Sequence, residues 1–243
     1  MERILATHTE LTGCGEVHNF QLDFQIKERC SCQKSVDQCP FWGPVYLDDS
    51  PLDQWSIFEK LAHAHPDRGQ FFIDSSKTSW KTMGRPWKLH KRYDVYVLHL
   101  IRNGESCLYS NLNRKASDDA KPARLFKSLT MGIHWTMANL SASLFGRLYP
   151  ERYHLLHYES LIAKPAQSVR GIFKWLQLNP TEVVELLQSE QDIPLAHQLS
   201  GNRIRHQQGL RLKTPPPRPL EDIYAERWCF RLAAWPILKA FGY

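Results

Sequence analysis

The sequence of 243 residues contains no apolar run long enough to span a membrane, and no apolar stretch follows its charged first residues, Met1, Glu2 and Arg3. From these two absences we expect no transmembrane helix, no signal peptide and a cytoplasmic location. Cysteine is also scarce, because six residues in a chain of this length do not make a disulfide-dense scaffold. The composition is therefore not that of a membrane protein or a small secreted one.

Two glycine-rich nucleotide-binding motifs are missing or incomplete. Nothing in the chain matches G-x-x-x-x-G-K-[ST], so a nucleotide kinase would lack its phosphate loop and lysine. Gly13-Cys14-Gly15 lacks the third glycine of a dinucleotide-binding fingerprint, and no strand-like run precedes it. The sequence therefore supports neither the phosphate loop of a nucleotide kinase nor a dinucleotide-binding site.

Basic residues exceed acidic ones, since 31 Lys and Arg against 25 Asp and Glu give a formal net charge of +6. A moderate basic excess favours anionic partners such as nucleotides, nucleic acids or membrane surfaces. The basic residues are scattered rather than gathered in a stripe, and no known nucleic-acid-binding motif is present. We therefore expect no nucleic-acid partner.

The apolar content of 42% is enough for a sizeable core, and we expect residues 1–243 to form a single domain. Short apolar runs without clean alternation predict strands buried on both faces, and they lie at 70–73, 95–101 and 153–157. Helical patterns begin at Ser50-Pro51, run through 122–148, begin again at Pro165, and begin last near Glu221 after a Pro-rich connector at 214–219. Strands that alternate with helices predict an α/β fold with a parallel sheet flanked by helices.

Ligands of open α/β sheets bind beyond the carboxyl ends of the strands, so the residues that follow each predicted strand are candidates for a site. Ser76 and Lys77, in the turn after the first run, supply a hydroxyl and a long cation. Arg102 follows the second run, and Ser110 lies about two turns into a helix that begins at Asn103 or Gly104. Arg102 and Ser110 are then placed to converge on one phosphate, although a surface cation and a solvated serine explain the pattern equally well.

A predicted loop at 201–205 adds a glycine, an amide and two guanidiniums. Guanidiniums and backbone donors suit phosphate oxygens, because they can bind them in bidentate geometry. A basic solvated loop is an equally good interpretation of the composition.

Cys30, Cys32 and Cys39 have some of the spacing of a metal knuckle. The usual zinc signature needs a second ligand cluster, which the sequence does not show. We therefore expect these cysteines to be reduced thiols in a loop packed against the domain, with no metal bound. A structural metal is the alternative.

Six short motifs in order resemble the sulfotransferase family that uses 3′-phosphoadenosine 5′-phosphosulfate, in particular its bacterial members. They are G-E-x-H at 15–18, a cysteine- and tryptophan-containing insertion at 20–50, D-S-S-K at 74–77, the strand and helix with Arg102 and Ser110 at 99–110, Y-E-S-L at 158–161, and G-N-x-x-R at 201–205. The resemblance implies a P-loop-NTPase-like sheet and a sulfotransferase that takes this nucleotide as its co-substrate. The acceptor it implies is a hydroxyl or amine on a small molecule, a glycan or a lipid.

The resemblance also implies roles for single residues. Lys77 stabilises the transferred sulfuryl group and Glu16 is the general base, for which His18 is the rival because its ordinary pKa lies near neutrality. The residues that would bind the co-substrate are Ser76, Arg102, Ser110, Asn202 and Arg205.

Members of this family begin with a strand and a loop that bind the 5′-phosphosulfate, and this chain starts after them, within the helix that follows. We therefore expect the first strand of the sheet to be missing. The alternative function is then a catalytically inactive, truncated relative that binds adenosine 3′,5′-bisphosphate-type nucleotides.

Overall fold

The computed structural model describes residues 1–21, 29–46, 53–67, 69, 71–76, 82–114, 121–189, 191–201, 206–207, 209, 211–212, 214 and 218–243. The chain divides into two compact units. Unit 1 comprises Met1–Lys77 and Pro165–Leu212, and unit 2 comprises Thr78–Lys164 and Lys213–Tyr243. The prediction of a single domain stays a prediction.

The strands are β1 (Leu11–Gly15), β2 (Phe71–Asp74), β3 (Val97–Ile101) and β4 (Tyr153–His157). The α-helices are α1 (Glu2–Leu5), α2 (Gly43–Tyr46), α3 (Ile57–Ala64), α4 (Arg85–His90), α5 (Gly104–Arg114), α6 (Lys121–Leu148), α7 (Tyr158–Ala163), α8 (Pro165–Leu176), α9 (Thr181–Gln188) and α10 (Tyr224–Ala240). Short 3-10 helices cover Val17–Gln21, Pro150–Arg152 and Leu220–Ile223.

In unit 1, β1 pairs in parallel with β2, from Leu11 opposite Phe71 to Gly15 opposite Asp74. All five residues of β1 are buried. This strand was not predicted, because the run L-T-G-C-G holds two glycines, which are depleted in strands. Burial on both sides and pairing with β2 outweigh that low propensity.

The core of unit 1 lies under the loops that follow β1. Phe20, Phe41 and Trp42 are almost fully buried there, and Tyr46 packs against them. The aromatic side chains of this segment that the structure describes therefore fill a core.

In unit 2, β3 pairs in parallel with β4 without any shift in register, from Val97 opposite Tyr153 to Ile101 opposite His157. The long helices α6 and α10 pack closely, since a side chain at Gly132 would place its Cβ 2.4 Å from the carbonyl oxygen of Phe230. His99 of β3 binds the Asn139 side chain of α6 through Nε2 at 2.7 Å. This bond fastens the strand to the helix layer.

The structure confirms the α/β fold with parallel strands flanked by helices. The helices predicted at 122–148 and from Pro165 are present as α6 and α8. Ser50-Pro51 lies outside the described residues, and the helix of that region is seen from Ile57 onward. Among the described residues, no helix has the length and apolar character needed to cross a membrane.

Candidate functional site

The carboxyl ends of β1 and β2 are joined by backbone and side-chain hydrogen bonds. Gly15 has a φ of +78°, and a Cβ at this position would lie 2.7 Å from the Ser200 carbonyl oxygen. Only glycine fits both conditions. The Gly15 carbonyl accepts a hydrogen bond from the Ser75 N–H at 2.9 Å, which ties the two strand ends together.

Asp74, the last residue of β2, organises the turn that follows. Its Oδ1 accepts hydrogen bonds from the Val17 N–H at 3.3 Å and from the Ser76 N–H at 2.9 Å. The Ser76 hydroxyl donates to the same oxygen at 2.5 Å and accepts from the His18 N–H at 3.0 Å. Ser76 thus has a structural role between the two strand ends, and its contact with a co-substrate stays a prediction.

The Glu16 side chain lies at this strand end and is only 8% exposed. Its N–H donates to the Ser200 carbonyl at 3.3 Å. A Cβ built on Gly201 would lie 3.8 Å from Oε1 of Glu16, so the carboxylate lies beside the glycine that begins the G-N-x-x-R segment.

His18, the rival base, has an unusual environment. Its Nδ1 is buried and has no hydrogen-bond partner among the residues that the structure describes. Buried polar atoms are nearly always paired in folded proteins, so this imidazole nitrogen has hydrogen-bonding capacity that a bound water or a ligand can use. His90 Nδ1 is buried and unpaired in the same way, so the feature alone does not select His18 as the base. The structure therefore keeps both Glu16 and His18 as candidates.

Glu2 is a further acid at this site, half-buried, which the sequence did not single out. Its Oε1 accepts a hydrogen bond from the Gly15 N–H at 2.6 Å. Burial raises the pKa of the Glu2 carboxyl, and hydrogen bonds from Ser75, Gly15 and Gln198 oppose that rise. Glu2, the first residue of α1, thus binds the last residue of β1 through this hydrogen bond.

In unit 2, β3 ends at Ile101, Arg102 follows it, and α5 begins at Gly104. The Asn103 side chain caps α5, because its Oδ1 accepts a hydrogen bond from the Ser106 N–H at 2.9 Å. The Arg102 guanidinium lies over the Tyr158 ring, 4.7 Å from its centroid. A cation–π contact orients this guanidinium and leaves its N–H groups available for oxygen acceptors.

Arg218 is a second guanidinium close to Arg102, and sequence reasoning missed it because it lies within the Pro-rich connector at 214–219. Its Nη1 donates to the Ser110 hydroxyl and to the Ser106 carbonyl oxygen. Burial lowers the pKa of Arg218, and so does the nearby positive charge of Arg102.

The guanidiniums of Arg102 and Arg218 therefore lie near enough for their charges to interact, and Arg218 binds Ser110. Among the described residues, neither Arg102 nor Arg218 forms an ion pair with a carboxylate. Like charges repel unless an anion lies between them, so this arrangement is suited to a phosphate or sulfate group.

Glu159, the second residue of α7, anchors the turn after β3. Its Oε1 accepts a hydrogen bond from the Asn103 N–H at 3.0 Å, and its Oε2 accepts one from the Tyr243 hydroxyl at 2.7 Å. Burial alone would raise the pKa of Glu159, but these donors outweigh it and hold the pKa below its ordinary value.

Cys30, Cys32, Cys39 and His197 form one cluster in unit 1, with donor atoms that all lie within 4.8 Å of one another. Burial raises the pKa of the Cys30 thiol. Burial alone would also raise the pKa of Cys32, but the Lys34 N–H and the neighbouring thiols stabilise its thiolate and lower that pKa. Sequence reasoning missed His197, because it lies 158 residues after Cys39.

Three of the predicted site residues, Lys77, Asn202 and Arg205, lie outside the described residues. Of the others, Glu16 and Ser76 belong to unit 1, whereas Arg102 and Ser110 belong to unit 2. Their roles toward a co-substrate stay predictions.

Comparison with known proteins supplies the family. A family model described as "Sulfotransferase family" matches residues 1–182. The chain is also similar to a solved structure described as the sulfotransferase domain from the curacin biosynthetic pathway, with a TM-score of 0.57, 15% sequence identity, and coverage of 93% of this chain and 91% of that one. At this identity the structural likeness concerns the fold alone. No curated protein matches the sequence. Since the family model covers most of its length, the chain belongs to the sulfotransferase family.

Proposed function

We propose that the protein transfers a sulfuryl group from 3′-phosphoadenosine 5′-phosphosulfate to a hydroxyl or amine acceptor. Membership of the sulfotransferase family supports the reaction class. The observation that supports this nucleotide as the sulfuryl donor is the pair of neighbouring guanidiniums, Arg102 and Arg218. Arg102 directly follows β3, and Arg218 binds the Ser110 hydroxyl.

In this proposal the 3′-phosphate of the donor binds between the two guanidiniums. A dianionic phosphate relieves the repulsion between Arg102 and Arg218 and accepts charge-assisted hydrogen bonds from both. The Ser110 hydroxyl, which accepts a hydrogen bond from Arg218, has its own proton left to donate to a phosphate oxygen.

The transfer itself forms a bond between the acceptor oxygen or nitrogen and sulfur, and it breaks the bond between sulfur and the 5′-phosphate oxygen. Lys77 stabilises the negative charge that develops on the leaving oxygen. Glu16 takes the proton that the acceptor loses, with His18 as the second candidate for that role. The products are the sulfonated acceptor and adenosine 3′,5′-bisphosphate.

Titration calorimetry with adenosine 3′,5′-bisphosphate tests the donor site. Removing one charge-assisted contact costs about 1.5–3 kcal/mol, so Arg102→Ala and Arg218→Ala should each weaken binding roughly 10–150-fold. Arg147→Ala, which removes an exposed guanidinium near the end of α6, is the matched control and should bind normally. Equal binding by all three variants and the wild type would disprove the proposed site.

A transfer assay with radiolabelled donor and a panel of hydroxyl and amine acceptors tests the reaction separately. Transfer that is lost in Lys77→Ala, while nucleotide binding is retained, would support the catalytic proposal. Nucleotide binding without transfer to any acceptor would instead support the alternative of a nucleotide-binding protein without catalysis.

A further inference from the structure

Three cysteines from one loop and a histidine from a distant segment meet in unit 1. The loop supplies Cys30, Cys32 and Cys39, and the segment 191–201 supplies His197. Two of the thiols are buried, and the other two side chains are half-buried. Neither the sulfotransferase reaction nor the proposed donor site uses any of these four residues.

Three distances in the cluster are close to those of a tetrahedral metal site, and all four donor atoms lie within 4.8 Å of one another. A zinc ion with bonds of about 2.3 Å to sulfur and about 2.0 Å to nitrogen sets its ligand atoms roughly 3.5–3.8 Å apart. Sγ of Cys32 lies 3.7 Å from Sγ of Cys39. Nδ1 of His197 lies 3.3 Å from Sγ of Cys39 and 3.8 Å from Sγ of Cys30.

The cluster is not a set of disulfides. All three cysteines are free thiols in the structure, and the 3.7 Å between Cys32 and Cys39 is well beyond the S–S bond length of about 2.05 Å. Three sulfurs and one imidazole that face a common centre match a ligand set that is usual for structural zinc.

The loop is shaped so that its thiols point to one place. The Gln33 N–H donates to the Cys30 carbonyl at 2.8 Å, and the Cys30 N–H donates to the Lys34 carbonyl at 2.9 Å. Gln33 has a φ of +70°, which non-glycine residues seldom adopt. A tight turn that holds a residue in this conformation brings Cys30 and Cys32 onto the same side.

His197 is held in position by contacts on both sides. The Trp42 indole N–H donates to the His197 carbonyl oxygen at 2.7 Å, and the Phe41 ring stacks on the imidazole with centroids 5.8 Å apart. Ser31 donates from its N–H to the Gln198 carbonyl at 3.0 Å and accepts from the Gln198 N–H at 2.9 Å. The ligands are thus preorganised, because neighbours of the ligating residues fix both chain segments.

We propose that Cys30, Cys32, Cys39 and His197 bind one zinc ion with a structural role. Four protein ligands leave no open position for a water or substrate, which separates this site from catalytic zinc. Thiolates and imidazole favour zinc over the hard cations magnesium and calcium. The ion fastens the cysteine loop to segment 191–201, whose Ser200 carbonyl accepts the Glu16 N–H, and so it supports the end of β1.

The first test is the metal content of the protein, purified without a metal-affinity tag or chelator and measured by mass spectrometry. We expect one zinc ion per chain. Replacement of the zinc by cobalt should give thiolate-to-cobalt charge-transfer absorption together with the intense visible bands of a tetrahedral site. A protein without zinc that also fails to take up zinc or cobalt would overturn the proposal, and so would a disulfide among the three cysteines.

Variants identify the ligands. Cys32→Ser and His197→Asn should each reduce zinc affinity by at least roughly 100-fold, because the loss of even an outer-shell partner costs 10–100-fold. Their melting temperature should fall by roughly 5–15 °C, as should that of the wild type after chelation. Cys229→Ser and His63→Ala lie elsewhere in the described part of the chain and are the controls, which should keep their zinc. Full zinc content in Cys32→Ser and His197→Asn would overturn the ligand assignment.

Discussion

Arg218 donates a hydrogen bond to the Ser110 hydroxyl, although the two residues lie 108 positions apart in the chain. The same nitrogen donates to the backbone carbonyl of Ser106, one helical turn earlier on α5. Arg218 thereby fastens the segment before α10 to α5, and it adds a second positive charge beside Arg102. The proposed phosphate site thus depends on a contact that no local sequence pattern indicates.

Ser110→Ala should weaken the binding of adenosine 3′,5′-bisphosphate. The substitution removes the acceptor of the Arg218 bond and the hydroxyl proposed to donate to the phosphate, which is worth about 1–2 kcal/mol or roughly 5–30-fold in affinity. Ser106→Ala is a close control, because Arg218 contacts only its backbone carbonyl in the structure. Calorimetry on both variants checks the prediction, and an equal loss of affinity in the two would contradict it.

The difference between what could and could not be predicted follows from how far apart the contacting residues lie. Arg102 and Ser110 could be proposed from the sequence because strand ends and helix periodicity are local features, and their role toward a phosphate stays a prediction. Arg218 and His197 depend on contacts across more than a hundred residues, and such contacts leave no periodic signal in a single sequence. β1 was missed for another reason, since Gly13 and Gly15 give it a low strand propensity that burial overrides.

Tyr243→Phe should destabilise the protein at neutral pH and have little effect in acid. The Tyr243 hydroxyl donates to Glu159, whose pKa is held below the ordinary carboxyl value of about 4.3. A depressed pKa contributes stability above the unfolded-state pKa, and this stability is lost as the pH falls through the folded-state value. Because Glu159 is exposed, we expect a loss of only about 0.5–1 kcal/mol in the free energy of unfolding at pH 7.

Urea denaturation of the wild type and Tyr243→Phe at a series of pH values from 3 to 8 measures this difference. Tyr224→Phe, at an exposed tyrosine of unit 2, should leave stability unchanged throughout. A difference between Tyr243→Phe and the wild type that grows toward low pH would refute the assignment of the ionised Glu159 as the partner.

Glu2→Gln should have the opposite pH dependence. Burial raises the pKa of the Glu2 carboxyl in the folded state. Its contribution to the free energy of unfolding is therefore most favourable below the ordinary carboxyl pKa of about 4.3, and it is lost as the pH rises through the raised pKa. The glutamine resembles the protonated acid and still accepts the Gly15 N–H. The variant should therefore match the wild type near pH 4 and gain stability relative to it toward pH 8, as measured by denaturation at each pH.

Glu185→Gln, at an exposed position of α9, controls for the general effect of removing one negative charge. Its stability relative to the wild type should not change in the same pH range. If Glu2→Gln instead becomes steadily less stable than the wild type as the pH rises, the ionised Glu2 carboxylate stabilises the fold and the prediction is wrong.

Gly15→Ala should cost more stability than an alanine at another glycine of similar backbone conformation. Gly15 and Gly242 have φ values of +78° and +77°, but a Cβ on Gly15 would lie 2.7 Å from the Ser200 carbonyl, whereas Gly242 has nothing within 4 Å. Gly242→Ala therefore reports the strain of a left-handed conformation, about 1–2 kcal/mol, and Gly15→Ala adds the displacement of a backbone oxygen. Thermal unfolding of both variants measures the difference. Equal losses would show that the close approach to Ser200 contributes nothing.

The choice between Glu16 and His18 as the general base can be made by kinetics. Loss of a general base lowers kcat by roughly 10²–10⁴-fold, so Glu16→Gln should do so with little change in nucleotide affinity if Glu16 takes the acceptor proton. His18→Asn removes the unpaired Nδ1 but keeps the backbone N–H that donates to Ser76. Under this assignment His18→Asn should lower kcat much less than Glu16→Gln does. A larger loss of kcat in His18→Asn than in Glu16→Gln would instead assign the role of general base to His18. The partner of its buried Nδ1 would then be the acceptor hydroxyl.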